Sequence, residues 1–140
     1  EHNQEGSFVT AIVMMLEPKT RVLTISNAAH CLPVLRRADG SVSEIDEGGG
    51  FPLGATEDFE YEQGMFQMRP GDIISIFSDG IVEAMNAKKE LYTVERLLKA
   101  IARPAADAQQ VMENILKDVK EWVKDTPPSD DLTLVCIGAK

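Results

Sequence analysis

Two apolar runs, each joined to aspartate, constrain the fold of this chain most. Ile73 to Phe77 is typical of a buried strand and leads into Asp79, whereas Asp130 and Asp131 lead into a second apolar run, Leu132 to Ile137. If these strands are antiparallel neighbours, the end of one lies beside the start of the other. The carboxylates would then converge at one edge of a sheet.

Two acidic motifs of this kind indicate either one metal site or two separate solvated turns. Converging carboxylates repel one another, and a hard divalent cation with oxygen ligands, Mg²⁺ or Mn²⁺, removes that penalty. Gly80 would let the backbone come close to whatever is bound. Each motif alone also fits a solvated turn, since Asp-Gly is a common turn pair and Asp-Asp after Pro-Pro-Ser is usual in loops. Spacing alone leaves both interpretations open.

Strands and turns fill the first half of the chain. Turn signals separate the apolar runs, and the glycine triplet Gly48 to Gly50 predicts a loop with unusual φ angles. We expect a buried strand at Phe8 to Leu16 and further strands at Arg21 to Asn27, Pro33 to Arg37, Val42 to Ile45 and Tyr61 to Met68, with turns at Glu17 to Thr20, Ala38 to Ser41 and Arg69 to Asp72.

Two helices are predicted in the second half. The first has an apolar face from Val94 to Ile101, with Thr93 as its cap and Pro104 beyond its end. The second begins at Asp107, where Gln110 completes a capping-box pattern, and its inner face carries Val111, Ile115, Val119 and Trp122 before Pro127. Hairpin strands followed by helices predict an α+β fold with an antiparallel sheet covered by helices.

Composition narrows the class of partner. The 140 residues predict one domain, and the net charge of −9 without a basic patch argues against nucleic acid and favours a cation or a basic protein. Cys31 and Cys136 lack C-x-x-C spacing, which indicates buried structural thiols in a reducing cytoplasm. No apolar run approaches the ~20 residues of a membrane span, and the start has no basic region typical of a signal peptide.

The ordered motifs resemble a known family. "SNAAH", "GGGFPLG", "RPGDIISIFSDGIVEA" and "PPSDDLTLVCI" occur with the order and spacing of the bacterial SpoIIE-type serine phosphatases, a branch of the PPM metal-dependent protein phosphatases. The resemblance runs from Phe8 to Ile137. It implies an antiparallel β-sandwich flanked by helices, and a binuclear Mn²⁺ or Mg²⁺ centre that activates a water to attack the phosphorus of phosphoserine or phosphothreonine.

Site residues follow from the resemblance position by position. Asp79 and Asp130 match metal-ligand aspartates, and Gly80 and Asp131 lie beside them. Asn27 and His30 match the family's "NAGH" segment, which shapes the region near the site. The departures are Ala29 for Gly, Cys31-Leu32 for Asn-Pro, and Thr93 for the Gly that usually follows "LF" or "LY".

The resemblance covers only part of the family's domain. The upstream "ADVSGHG"-like segment, whose aspartate bridges the two metals, has no counterpart before Phe8. We therefore interpret residues 1–140 as the C-terminal portion of a single phosphatase domain, and we expect exposed apolar sheet edges and self-association. The substrate implied is a phosphorylated regulatory protein, commonly an anti-anti-sigma factor. A non-catalytic phosphatase-like docking module remains the alternative, and a purely structural domain with two acidic turns is a third hypothesis.

Overall fold

The computed structural model describes residues 7–128 and 130–140, which form two compact units. The first unit contains the described residues up to Leu32 together with Asp46–Met68, and the second contains Pro33–Ile45 and Arg69–Lys140. The strands are β1 (Ala11–Glu17), β2 (Val22–Ala28), β3 (Val34–Arg36), β4 (Val42–Glu44), β5 (Gly49–Gly50), β6 (Gly64–Gln67), β7 (Ile73–Phe77) and β8 (Leu134–Gly138). The helices are α1 (Asp79–Val82), α2 (Val94–Ile101) and α3 (Ala108–Val123).

The first unit is built on the β1–β2 hairpin, which confirms the hairpin predicted from sequence. β2 pairs with β1 and β6 in antiparallel fashion and with β5 in parallel. On one face Ile25 is completely buried, whereas Val13 and Met15 on the other face are each 68% exposed. The expected buried strand at Phe8 to Leu16 is therefore wrong in two respects, because β1 begins at Ala11 and only one of its faces is covered.

The glycine triplet divides into a turn and a short strand. Gly48 has a φ of 69°, and a Cβ added to it would lie 2.5 Å from the carbonyl oxygen of Ile25, so only glycine fits. Gly49 and Gly50 pair with the end of β2 instead of forming a loop. The predicted strand at Tyr61 to Met68 is confirmed only in its second half, where β6 forms.

The second unit contains an antiparallel sheet with the strand order β4–β3–β7–β8. The predicted β3–β4 hairpin is confirmed, and β7 is deeply buried, with Ile74 1% and Phe77 2% exposed. β8 begins two residues later than predicted and is not fully buried, because Val135 and Ile137 are 46% and 40% exposed. At this edge of the sheet one face of β8 stays open.

The two predicted helices are present in the second unit. The Asp107 carboxylate caps α3 by accepting a 2.8 Å hydrogen bond from the Gln110 backbone N–H, and the Gln110 side chain reaches back to the N–H of Ala106. The cap expected from Thr93 is not formed by its side chain, and its backbone adopts a φ of 70°. Helix α3 packs on β8 and β7, and its residues Val111 and Ile115 are completely buried.

An ionic network joins α2 to α3. Asp118 is 2% exposed and accepts hydrogen bonds from the Tyr92 hydroxyl at 2.8 Å, from Arg96 Nε at 2.8 Å and from the Arg103 guanidinium. The Arg96 guanidinium lies 4.6 Å from the centre of the Trp122 ring. Burial raises the pKa of the Asp118 carboxyl, but the hydrogen bonds from Tyr92, Arg96 and Arg103 outweigh burial and hold that pKa below its usual value.

The predicted α+β class with antiparallel sheets is confirmed, although the short β2–β5 pairing is parallel. All three helices found in the described ranges belong to the second unit. None of these helices is both long enough and apolar enough to cross a membrane.

Candidate metal centre

The two acidic motifs lie at adjacent strand ends. β7 and β8 are antiparallel neighbours with Phe77 opposite Leu134, which confirms the predicted pairing. The ladder continues beyond the strands, because the backbone N–H of Ser78 donates to the carbonyl of Thr133 at 3.0 Å. Asp79 follows Ser78 directly, so the motif that ends β7 and the motif that precedes β8 meet at one edge of the sheet. Ser129, the first residue of "SDD", lies outside the described residues.

The Ser78 hydroxyl connects the two motifs. Its Oγ accepts a hydrogen bond from the Thr133 backbone N–H at 3.0 Å and donates one to the Asp131 carbonyl at 3.2 Å. Ser78 precedes α1 in the N-cap position but makes no side-chain cap there. Sequence reasoning missed this residue. The signal available was its position before Asp79, since serine hydroxyls near strand ends commonly bond to backbone groups.

Gly80 is required by the close approach of the second motif. A Cβ added to Gly80 would lie 2.4 Å from the Asp131 carbonyl oxygen and 3.2 Å from its carbonyl carbon. The close approach expected at Gly80 therefore involves the Asp131 backbone.

The Asp-Gly pair of the first motif is also typical of a solvated turn. In the structure, Asp79–Val82 forms one turn of helix, and its residue Ile81 is completely buried.

Both candidate ligand carboxylates face solvent. Asp79 and Asp130 are exposed, and in each the Oδ1 atom accepts a hydrogen bond from the next backbone N–H, from Gly80 at 2.9 Å and from Asp131 at 2.7 Å. These bonds restrict the orientation of each carboxylate. In the part of the chain that the structure describes, neither group forms another hydrogen bond or ion pair, so oxygen lone pairs stay open toward solvent.

These donors fit a divalent cation with an incomplete protein shell. Residues 7–128 and 130–140 contain no group of three or more His, Cys, Asp or Glu side chains arranged to hold a metal. Two carboxylates are nevertheless a usual protein contribution to Mg²⁺, which keeps several waters and takes further oxygens from phosphate. The roles of Asp79, Asp130 and the neighbouring exposed Asp131 as ligands stay predictions.

Asn27 and His30 form a separate local motif in the first unit. The Asn27 side chain, 3% exposed, donates to the His30 carbonyl at 3.0 Å and accepts from the His30 N–H at 2.7 Å. Ala29, between them, has a φ of 55°. Both polar ends of the Asn27 amide are thereby used to close the turn after β2. The role of this segment in shaping the region near the site stays a prediction.

Both cysteines are only partly buried, so the expectation of buried structural thiols is wrong in this respect. Cys136 on β8 lies opposite Ser75 on β7, with 3.5 Å between its Sγ and the serine Oγ. Burial raises the pKa of the Cys136 thiol, which the contact with Ser75 offsets only in part. A protonated thiol is a poor metal ligand, so Cys136 has the character of a packing residue.

Comparisons with known proteins find sequence similarity to a bacterial phosphatase. Phosphoserine phosphatase RsbU of Bacillus subtilis (strain 168) is 29% identical over 96 residues, which are 67% of this chain and 28% of RsbU. The chain thus spans little more than a quarter of that relative.

Solved structures show the same fold. The RsbU and RsbW domains of Rv1364c from Mycobacterium tuberculosis superpose with a TM-score of 0.75 at 23% identity, over 94% of this chain and 36% of that one. The phosphatase domain of SpoIIE from Bacillus subtilis, in a crystal described as Mn presoaked, gives 0.70 at 15% identity over 92% and 56%. The fold is therefore that of PP2C-type phosphatase domains.

The family model described as "Stage II sporulation protein E (SpoIIE)" matches residues 1–140, the whole chain. Together with the adjoining acidic motifs at β7 and β8, this match shows that the chain belongs to the SpoIIE family, whose fold is that of protein serine/threonine phosphatases.

Proposed function

We propose that residues 1–140 are the C-terminal portion of a metal-dependent protein serine/threonine phosphatase domain, in which Asp79 and Asp130 bind one Mn²⁺ or Mg²⁺. The observation that carries the proposal is the connection between the two motifs. The Ser78 hydroxyl bonds to both Thr133 and Asp131, and Gly80 packs against the Asp131 carbonyl. Solvated turns with no common task would not need this connection between the two strand ends.

The residues of this chain would bind and orient the metal. A backbone N–H group holds one oxygen of each carboxylate, which leaves the other oxygen for a ligand from solvent. A bound metal would neutralise phosphate charge and lower the pKa of a coordinated water. The family resemblance implies two metals in the complete centre, of which Asp79 and Asp130 would hold one, with Asp131 beside them in the sequence.

The substrate proposed is the phosphoserine or phosphothreonine of a regulatory protein, of the anti-anti-sigma type that the family resemblance implies. The similar proteins support this class of substrate, since one relative is a phosphoserine phosphatase and one solved structure combines RsbU and RsbW domains. A cytoplasmic location is proposed because the two cysteines, Cys31 and Cys136, lie far apart in the sequence without the spacing of a disulfide framework. The net charge of −9 argues against nucleic acid as a partner.

Mn²⁺-dependent hydrolysis of p-nitrophenyl phosphate tests the proposal. Asp79→Asn and Asp130→Asn should each abolish the metal-dependent rate, because each removes a charged ligand and keeps the side-chain shape. The matched control is Asp58→Asn, the same change at an exposed aspartate of the first unit, and its rate should equal that of the wild type. A wild-type rate in Asp79→Asn or Asp130→Asn would refute the assignment.

The second candidate is a non-catalytic docking module with a phosphatase fold. The observation that favours it is the lack of a three-residue ligand group among the described residues. The same assay separates the two. Binding of Mn²⁺ without any hydrolysis of phosphate ester, by a domain that also contains the upstream "ADVSGHG"-like segment, would support the docking module.

A further inference from the structure

A groove runs from the candidate metal edge along α3 in the second unit. It lies between α1, with the residues that follow it, and the C-terminal half of α3, and it encloses about 310 Å³. That volume lies at the lower end of ligand-binding clefts, which span about 300–1,000 Å³. Gly80 and Asp130 of the candidate metal centre are part of its lining. We name it the α1–α3 groove.

The lining is largely apolar, and part of it faces solvent. Ala84 and Val119 are buried at 6% and 3% exposure, whereas Met85, Leu116 and Leu132 are 38%, 45% and 45% exposed. Apolar side chains that line a concave surface next to a polar centre are typical of binding sites. The exposed groups therefore offer a surface for another apolar side chain.

The wall of the groove is held in place before anything binds. The carbonyl of Ala84 accepts hydrogen bonds from the Tyr92 backbone N–H at 2.9 Å and from Trp122 Nε1 of α3 at 3.2 Å. The bond from Trp122 attaches the segment after α1 to α3, and the bond from Tyr92 closes the loop that follows Ala84. A preformed groove loses little conformational entropy on binding, which favours affinity.

The charged side chains that line the groove favour a bound segment that carries an acidic group. Apart from Asp130, its charged residues are Lys120 and Lys124. In a chain with a net charge of −9, these lysines form a local positive site where an acidic group is attracted. A basic or purely apolar segment would form no favourable charge interaction with these lysines.

We infer that the α1–α3 groove binds the segment of the phosphoprotein next to its phosphoserine, by taking one bulky apolar side chain with an acidic residue beside it. The inference rests on the proposed function, because Gly80 and Asp130 belong both to the candidate metal centre and to the lining of the groove. A substrate chain that leaves the metal edge along α3 meets apolar side chains and the two lysines. Phosphoserine followed or preceded by Leu, Ile or Met and then Asp or Glu is the recognised class.

Fluorescence anisotropy with labelled phosphoserine peptides tests this inference in the presence of Mg²⁺. The peptides place one Leu at successive positions on either side of the phosphoserine, with two Asp beyond the Leu. Matched peptides carry Asn for Leu, Lys for Asp, or unphosphorylated Ser. At least one Leu-Asp peptide should bind, and its Asn and Lys counterparts should bind several-fold more weakly.

Two groove variants and two controls complete the experiment. Leu116→Ser should weaken the best peptide about five- to tenfold through lost apolar contact, and Lys120→Glu about three- to fivefold. Leu53→Ser and Lys19→Glu make the same chemical changes at exposed residues of the first unit, outside the groove, and should leave binding unchanged. Circular dichroism checks that all four variants fold, as their surface positions predict.

The outcomes separate this inference from the proposed function. Binding that depends on Leu116 and Lys120 but not on the phosphate supports the groove and contradicts the metal-centred function. Binding that depends on the phosphate but is insensitive to both groove variants supports the metal centre and overturns the groove. Failure of every peptide to bind also overturns the groove as a substrate site.

Discussion

Gly80→Ala probes the contact between the two acidic motifs without touching a carboxylate. The added Cβ would lie 2.4 Å from the Asp131 carbonyl oxygen, and an ordinary contact needs 3.4 Å, so the backbone must separate by about 1 Å. Overpacking of this kind costs about 1–3 kcal/mol. Loss of the hydrogen bond from Ser78 Oγ to that carbonyl adds about 1 kcal/mol. The free energy of unfolding should therefore fall by about 2–4 kcal/mol.

Urea denaturation followed by circular dichroism measures this loss, and Mn²⁺ titration of the same variant measures its effect on the site. We expect weaker Mn²⁺ binding, because the displaced Asp131 carries Asp130 away from Asp79. Gly49→Ala is the matched control, since its added Cβ would meet nothing within 4 Å. If Gly80→Ala loses less than about 0.5 kcal/mol and binds Mn²⁺ like the wild type, the close approach does not position the site.

Further predictions concern stability and association. The depressed pKa of Asp118 means that its stabilising contribution is present above about pH 4, the usual pKa of an unfolded aspartate, and is lost as pH falls through the lower folded value. Asp118→Asn should therefore flatten the acid limb of a plot of unfolding free energy against pH, as urea titrations at several pH values would show. Asp107→Ala should cost about 1 kcal/mol by removing the α3 cap, measured by the same denaturation. Met15 and Met65 flank Thr24 on one sheet face at 68% and 71% exposure, so Met15→Lys should reduce self-association in light scattering, and unchanged scattering would contradict a role for that face.

Local patterns in the sequence were sufficient for most elements and for the pairing that builds the site. The apolar run of β7, the Pro-Gly turn before it and the capping box of α3 each act within a few residues, so their sequence signals are direct. The prediction that the two apolar runs are antiparallel neighbours, which brings the two acidic motifs to one end of the sheet, is confirmed by the register of β7 and β8.

Burial and long-range polar contacts could not be obtained in the same way. An apolar run does not reveal whether both faces of its strand are covered, which is why β1 and β8 were wrongly expected to be buried. The Ser78–Thr133 and Arg96–Asp118 hydrogen bonds join residues 55 and 22 positions apart, and neither residue type identifies its partner. Gly80 was noticed for its lack of a side chain, but the atom it approaches emerged only from the fold.

The central claim is that the two acidic motifs form one cation site, and paramagnetic broadening by Mn²⁺ tests it most directly. In a titration of the ¹⁵N-labelled chain with substoichiometric Mn²⁺, the account predicts that the amide signals of Gly80, Ile81, Asp131 and Leu132 disappear first and together. Asp79→Asn should preserve all of these signals, including those beside Asp130. Broadening that begins at other acidic segments, such as the one around Asp58, or that affects only one of the two motifs, would contradict a shared site.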